Sequence, residues 1–156
     1  GHLQKGHSVA CGDWDRDGNI DLFVQMGGAI NGDRYHNILF QNPGHANHWI
    51  TLKLIGRDSN RAALGARIAV YLGGDTPRQI HRHVSTGSSF GANPLEQSIG
   101  LGSATTIERI EIRWPTTGKT QVIDHPPVDR LLLVLEDSPQ VFPQSYAPIA
   151  IPADSE

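Results

Sequence analysis

Ser8-Val9-Ala10-Cys11-Gly12-Asp13-Trp14-Asp15-Arg16-Asp17-Gly18-Asn19-Ile20-Asp21-Leu22-Phe23-Val24 sets two short β-forming runs around one acidic loop. Counted from Asp13, carboxylates stand at loop positions 1, 3, 5 and 9, and glycine stands at 6. Four like charges packed so closely repel one another, and Arg16 is the only basic residue among them. A compact loop of this composition needs a cation, and carboxylate oxygens suit a hard one, Ca²⁺ ahead of Mg²⁺. Gly18 permits the sharp turn that folds the ligands inward. Asn19, at position 7, is expected to offer its backbone carbonyl. The expected ligands are therefore Asp13, Asp15, Asp17, Asn19 and Asp21. A helix-flanked calcium loop would carry a bidentate glutamate at position 12, where this chain has Val24. The flanks here read as strands. An acidic surface turn without metal is the alternative, and the agreement of alternation and glycine at every position weighs against it.

A chain of 156 residues buries one good core, or one domain with a small extra unit. A net charge of −3 gives no basic footprint for nucleic acid. No apolar run is long enough to span a membrane as a helix, and no signal peptide is visible. The opening Gly1-His2 points to processing or to a piece of something longer. Cys11 is the sole cysteine, which excludes an internal disulfide. Its place in the strand before the acidic loop predicts a buried small hydrophobe.

Short β-branched runs, frequent glycine and proline, and no sustained helical periodicity predict an all-β protein. Strands are expected over 8–11, 20–26 and 36–41, the last ended by the turn Asn42-Pro43-Gly44. From His48 the composition changes. Further strands are expected over 49–55, 66–72, 79–84, 96–101, 107–114, 120–123 and 130–136. In the stretch 107–114, Ile110 and Ile112 face one way and Glu111 and Arg113 the other, as in a half-buried antiparallel strand. The run Leu131-Leu132-Leu133-Val134-Leu135 suggests burial on both faces. The predicted core of this second block is Leu52, Leu54, Ile68, Val70, Ile110, Ile112, Leu133 and Leu135. Residues 138–156 are rich in proline and small side chains and read as an extended tail.

Gly12 through Val24 resembles the FG-GAP/VCBS repeat, the blade unit of integrin-like β-propellers, with its pattern G-D-x-D-x-D-G-x-x-D-L-x-V. That resemblance implies calcium on the four aspartates and on the carbonyl of Asn19. The second block resembles the ASPIC/UnbV domain. The residues carrying this are Asn60-Arg61 with Leu64-Gly65-Ala66-Arg67, Gly87-Ser88-Ser89-Phe90, Ile99-Gly100-Leu101-Gly102, and Ile112-Arg113-Trp114-Pro115 with Gly118. Ile99 stands where an aromatic is expected. That domain follows FG-GAP/VCBS repeats at the C-terminal end of secreted proteins, cartilage acidic protein and its bacterial relatives among them. The expected organisation is a partial propeller blade over 1–47, an antiparallel β-sandwich-like domain over 48–137 and the tail. One blade cannot bury both its faces, and no second D-x-D-x-D-G is present to supply a neighbour.

Several other residues bear on chemistry. His81 and His83 share one strand face, a spacing that suits a transition metal, with His45, His48 or His125 as a third ligand. Arg78 and Arg82 beside them oppose a cation and favour a solvated strand face. The hydroxyl-rich 85–89 segment lacks the G-x-S-x-G elbow of a serine nucleophile and reads as a loop bonding to its own backbone. Arg67 and Arg113 are expected to pair with carboxylates such as Glu96 or Glu111. Asn60, Arg61, Arg67, Ser88 and Ser89 form the best candidate ligand site. Trp14, projecting from the acidic loop, is placed to stack on a sugar ring, whereas Trp49 and Trp114 read as packing.

The residues thus point to a non-catalytic, calcium-stabilised module outside the cytoplasm, in the extracellular space, in the periplasm or at the cell surface. It would meet a protein or glycan partner, or a second copy through the blade edge. An enzyme part acting on carbohydrate is the rival from another class, and a structural subunit of a bacterial surface complex is a third. Outside the acidic loop the carboxylates are scattered rather than paired, which disfavours glycosidase chemistry.

Overall fold

The computed structural model describes residues 5–28, 30–74, 77–87, 92 and 94–150. Among these there is no helix, and eleven strands form three open sheets. The described residues fall into two compact units. One gathers those of 1–44, 87–94 and 146–156, and the other holds those of 45–86 and 95–145.

The first unit is built on β1 (Gly6–Gly12), β2 (Asp21–Met26) and β3 (Ile38–Phe40), an antiparallel meander in the order β1-β2-β3. Opposite residues share a face, so Val9, Cys11, Leu22, Val24, Ile38 and Phe40 stand together. Val9, Leu22 and Phe40 remain 51%, 41% and 44% exposed, while Cys11, Val24 and Ile38 are half-buried, so this apolar face is partly exposed. Cys11 lies on it half-buried, less enclosed than its sequence position predicts.

The second unit is a two-layer β structure. One layer comprises β4 (His48–Ile55), β7 (Gln97–Gly102), β10 (Arg130–Leu135) and β11 (Val141–Gln144), in the order β11-β10-β4-β7. The other comprises β5 (Arg67–Leu72), β6 (Arg78–His83), β8 (Arg109–Arg113) and β9 (Thr120–Asp124), in the order β6-β5-β8-β9. Ile50, Leu52, Ile99, Leu132 and Val134 of the first layer form one core with Ile68, Val70, Ile110, Ile112 and Ile123 of the second.

Three details differ from the sequence reading. The first layer is mixed, because β10 lies parallel to β4, its pairs running from Arg130 with Ile50 to Leu135 with Ile55. A parallel pair needs a long crossover, and the strands of the other layer lie in that crossover. Leu132 and Val134 point into the core, whereas Leu133 and Leu135 lie half-buried on the opposite face. An unbroken apolar run carries no alternation, so its facing is set by the partner strand, and a one-residue slip reverses it. Within the predicted tail, β11 pairs with β10 and caps that edge, and Pro143 is tolerated there because only one side of the strand is paired.

Candidate metal centre

The turn between β1 and β2 brings Asp13, Asp15 and Asp21 together. One carboxylate oxygen from each lies within 4.8 Å of the others. Asp15 and Asp21 are only 6% and 1% exposed. Arg16 and Gly18 both take positive φ, at 63° and 94°, and Gly18 does so without the strain a side chain brings. Backbone N–H groups point at the carboxylates. Asp17 N donates to Asp13 Oδ1 at 3.0 Å, Gly18 N to Asp13 Oδ2 at 3.0 Å and Trp14 N to Asp21 Oδ2 at 3.0 Å.

Burial pushes the Asp13 carboxyl above its ordinary value, and the neighbouring Asp17 charge pushes the same way, against the N–H donors of Gly18, Asp17 and Arg16. Oxygens that lie within 4.8 Å of one another are close enough to be gathered onto one hard ion. The donor set, all hard oxygen, suits Ca²⁺ or Mg²⁺ better than a transition metal.

Asp17 lies outside this cluster. Asp17 is exposed and accepts from Asn19 N at 2.7 Å and Asn19 Nδ2 at 2.9 Å. Two supporting residues escaped the sequence reading. Gln41 Nε2 donates to Asp15 Oδ2 at 2.6 Å, and Asn42 N donates to Asp21 Oδ1 at 2.8 Å. Both follow β3, about twenty residues from the loop, so local spacing gave no sign of them beyond the turn at Asn42-Pro43-Gly44. Ile149 N reaches back to Asp15 O at 2.7 Å, so part of the C-terminal segment is tied to this loop. Trp14 is half exposed, and its ring stacks on Phe23 with centroids 5.7 Å apart.

In the second unit the candidate ligand residues separate. Asn60 is spent on its own loop, accepting from Leu64 N and donating to Leu64 O at 2.8 Å each. Arg61 lines an open cleft of about 590 Å³ with Arg57, Ser59 and Glu136. Arg67 lies in β5, exposed, on the face turned away from the core. Ser88 and Ser89 lie outside the described residues.

The expected pairing of Arg67 and Arg113 does not form, since Glu96 bonds Lys53 at 2.9 Å and Glu111 bonds Arg109 at 2.8 Å. His81 and His83 do share a face, both exposed, opposite Ala69 and Arg67. Among the described residues the only group of three or more metal-ligating side chains is Asp13, Asp15 and Asp21. Trp114 is buried, with its indole N–H donating to Gln121 Oε1 at 2.9 Å. The imidazole of His48 is held by Asp129 at 2.7 Å, and Asp129 also accepts from Trp49 N.

Glu136 was legible only as the end of a strand. It is 3% exposed, and its Oε2 accepts from the backbone N–H groups of Arg57, Asp58 and Ser59 at 2.7–2.9 Å. Its Oε1 accepts from the Ser59 hydroxyl at 2.8 Å and the Thr117 hydroxyl at 3.3 Å. A carboxylate with five donors is a structural anchor, with no lone pair aimed at a substrate.

No curated protein matches the chain. The family described as ASPIC and UnbV matches residues 56–141, which is more than half the chain and nearly all of the two-layer unit beyond β4. The chain belongs to the ASPIC and UnbV family.

Proposed function

We propose that the chain is a non-catalytic, calcium-stabilised binding or assembly module that works outside the cytoplasm, as the C-terminal part of a larger propeller protein. The observation that carries the reading is the convergence of Asp13, Asp15 and Asp21, two of them buried, on a point where one hard cation satisfies all three. Calcium there offsets the mutual repulsion of the carboxylates and locks the β1–β2 turn. The affinity expected of an extracellular calcium module is a dissociation constant of about 0.1–1 mM. Millimolar external calcium fills such a site and cytosolic calcium does not, which supports an extracellular or periplasmic setting. The strand–loop–strand pattern and the three-stranded meander are compatible with a propeller blade, and the partly exposed apolar face fits a unit that expects a neighbour. Glu136, Glu111, Glu96 and Asp129 are each engaged by donors within the second unit.

Thermal unfolding of the full chain in calcium, in magnesium and in chelator is the test. Calcium raises the melting temperature, magnesium does so less, and Asp21→Ala or Asp13→Ala abolishes the rise. An unchanged melting temperature across all three conditions overturns the calcium reading.

A further inference from the structure

We propose that the solvent face of the β6-β5-β8-β9 sheet binds an acidic polysaccharide through a row of donors formed by His83, Arg67, Arg113 and Thr120. The register sets this row, since Arg67 lies opposite His83 on one side and Arg113 on the other, and Arg113 lies opposite Thr120. All four side chains are exposed. Opposite residues in neighbouring strands stand about 5 Å apart, so the two guanidiniums and the imidazole sit within about 10 Å.

Like charges placed directly opposite one another destabilise a sheet. A carboxylate nearby would normally relieve this, and among the described residues none does. Glu111, two residues from Arg113 on the same face, has both oxygens occupied, Oε1 by Arg109 Nε at 2.8 Å and Oε2 by the Tyr71 hydroxyl at 3.0 Å. Glu96, the other carboxylate that the sequence suggests, is bonded to Lys53. The row therefore costs stability and gains no partner within the described chain. An external anion supplies what is missing, because guanidinium forks match carboxylate and sulfate oxygens two at a time.

The shape of the face selects the kind of anion. It is an open sheet rather than a pocket, so it suits an extended polymer better than a small ion. The next row along the strands is His81, Ala69, Glu111 and Val122, where Ala69 and the half-exposed Val122 offer flat apolar ground for the faces of sugar rings. The assignment rests on the reading of the chain as a binding module and names its ligand class.

Binding of the full chain to dextran sulfate, polygalacturonate, neutral dextran and single-stranded poly-dT, in saturating calcium and at several salt concentrations, tests it. Dextran sulfate or polygalacturonate binds and neutral dextran does not. Arg67→Gln and Arg113→Gln each weaken that binding roughly tenfold, and the double variant flattens its salt dependence. Arg130→Gln, which removes the same charge from another sheet, leaves binding unchanged. Melting temperature separates ligand binding from a structural role. It stays level or rises in Arg67→Gln and Arg113→Gln, because repulsion is relieved. A fall means that the arginines are structurally paired and overturns the proposal. So does an absence of binding to both acidic polymers, an equal loss in Arg130→Gln, or tighter binding to poly-dT. Calcium-dependent melting that persists through such a failure leaves the calcium reading standing and removes this site alone.

Discussion

Glu136 shows how much one side chain organises. It ends the β10 segment, yet it holds the backbone of residues 57–59 by three N–H groups and closes the loop that follows β4. Gly56 makes that loop possible, since a Cβ there would fall 2.2 Å from the Asn60 carbonyl oxygen. Burial alone would raise the Glu136 carboxyl above its ordinary value. The donors from Ser59 N, Arg57 N, the Ser59 hydroxyl and Asp58 N outweigh it, so the group is held below 4.5 in the folded chain. As pH falls, the unfolded chain therefore takes up this proton first. The stabilisation is complete above about pH 4.5 and is lost as pH falls through the lower folded-state value. Glu136→Ala leaves the N–H groups of Arg57, Asp58 and Ser59, the last of them buried, without their acceptor and costs roughly 1–3 kcal/mol. Denaturant unfolding at neutral pH measures that loss, and the acid limb of the pH profile flattens in the variant. Equal stability of variant and parent at pH 7 would contradict the anchor role.

At the scale of the element, β8 and β10 mark the limits of what the sequence carries. In β8 the alternation of isoleucine with charge fixed the facing in advance, and Ile110 and Ile112 are fully buried. In β10 every position is apolar from 131 to 135, so local pattern offered no choice of face, and the parallel partner β4 decided it. The acidic loop was legible for the opposite reason, since its spacing is self-contained. Its supports at Gln41 and Asn42 were hidden because they act across the sheet. The facing of β10 is directly measurable. Leu132→Ala empties core volume and costs roughly 2–5 kcal/mol, whereas Leu133→Ala, on the half-buried face, costs less, about 1–2 kcal/mol. A reversed order in urea unfolding would mean that the strand sits one residue out of the register described.

For the whole molecule, the two units meet the problem of burial differently. The second encloses its own core, with eighteen buried apolar residues contributed by its two sheets and the segments that join them. The first has three strands and no second layer among its described elements, and its apolar face runs across all of them. Exposed edges and apolar faces of this kind invite pairing with another chain. On the proposed function, calcium in the β1–β2 turn would hold that face rigid for a partner. The expected outcome is self-association of the 156-residue chain at micromolar concentration in calcium, through the face that carries Leu22, Val24, Ile38 and Phe40. Sedimentation velocity reads the state directly. Leu22→Glu combined with Phe40→Glu returns the chain to a monomer, because burying two carboxylates in an apolar contact costs more than the contact gains. The unfolding of the second unit is unchanged in that variant, since neither position belongs to its core. A parent chain that sediments as a monomer, with Leu22 and Phe40 protected from solvent in labelling experiments, would sink the assembly reading and show that the chain covers this face by itself.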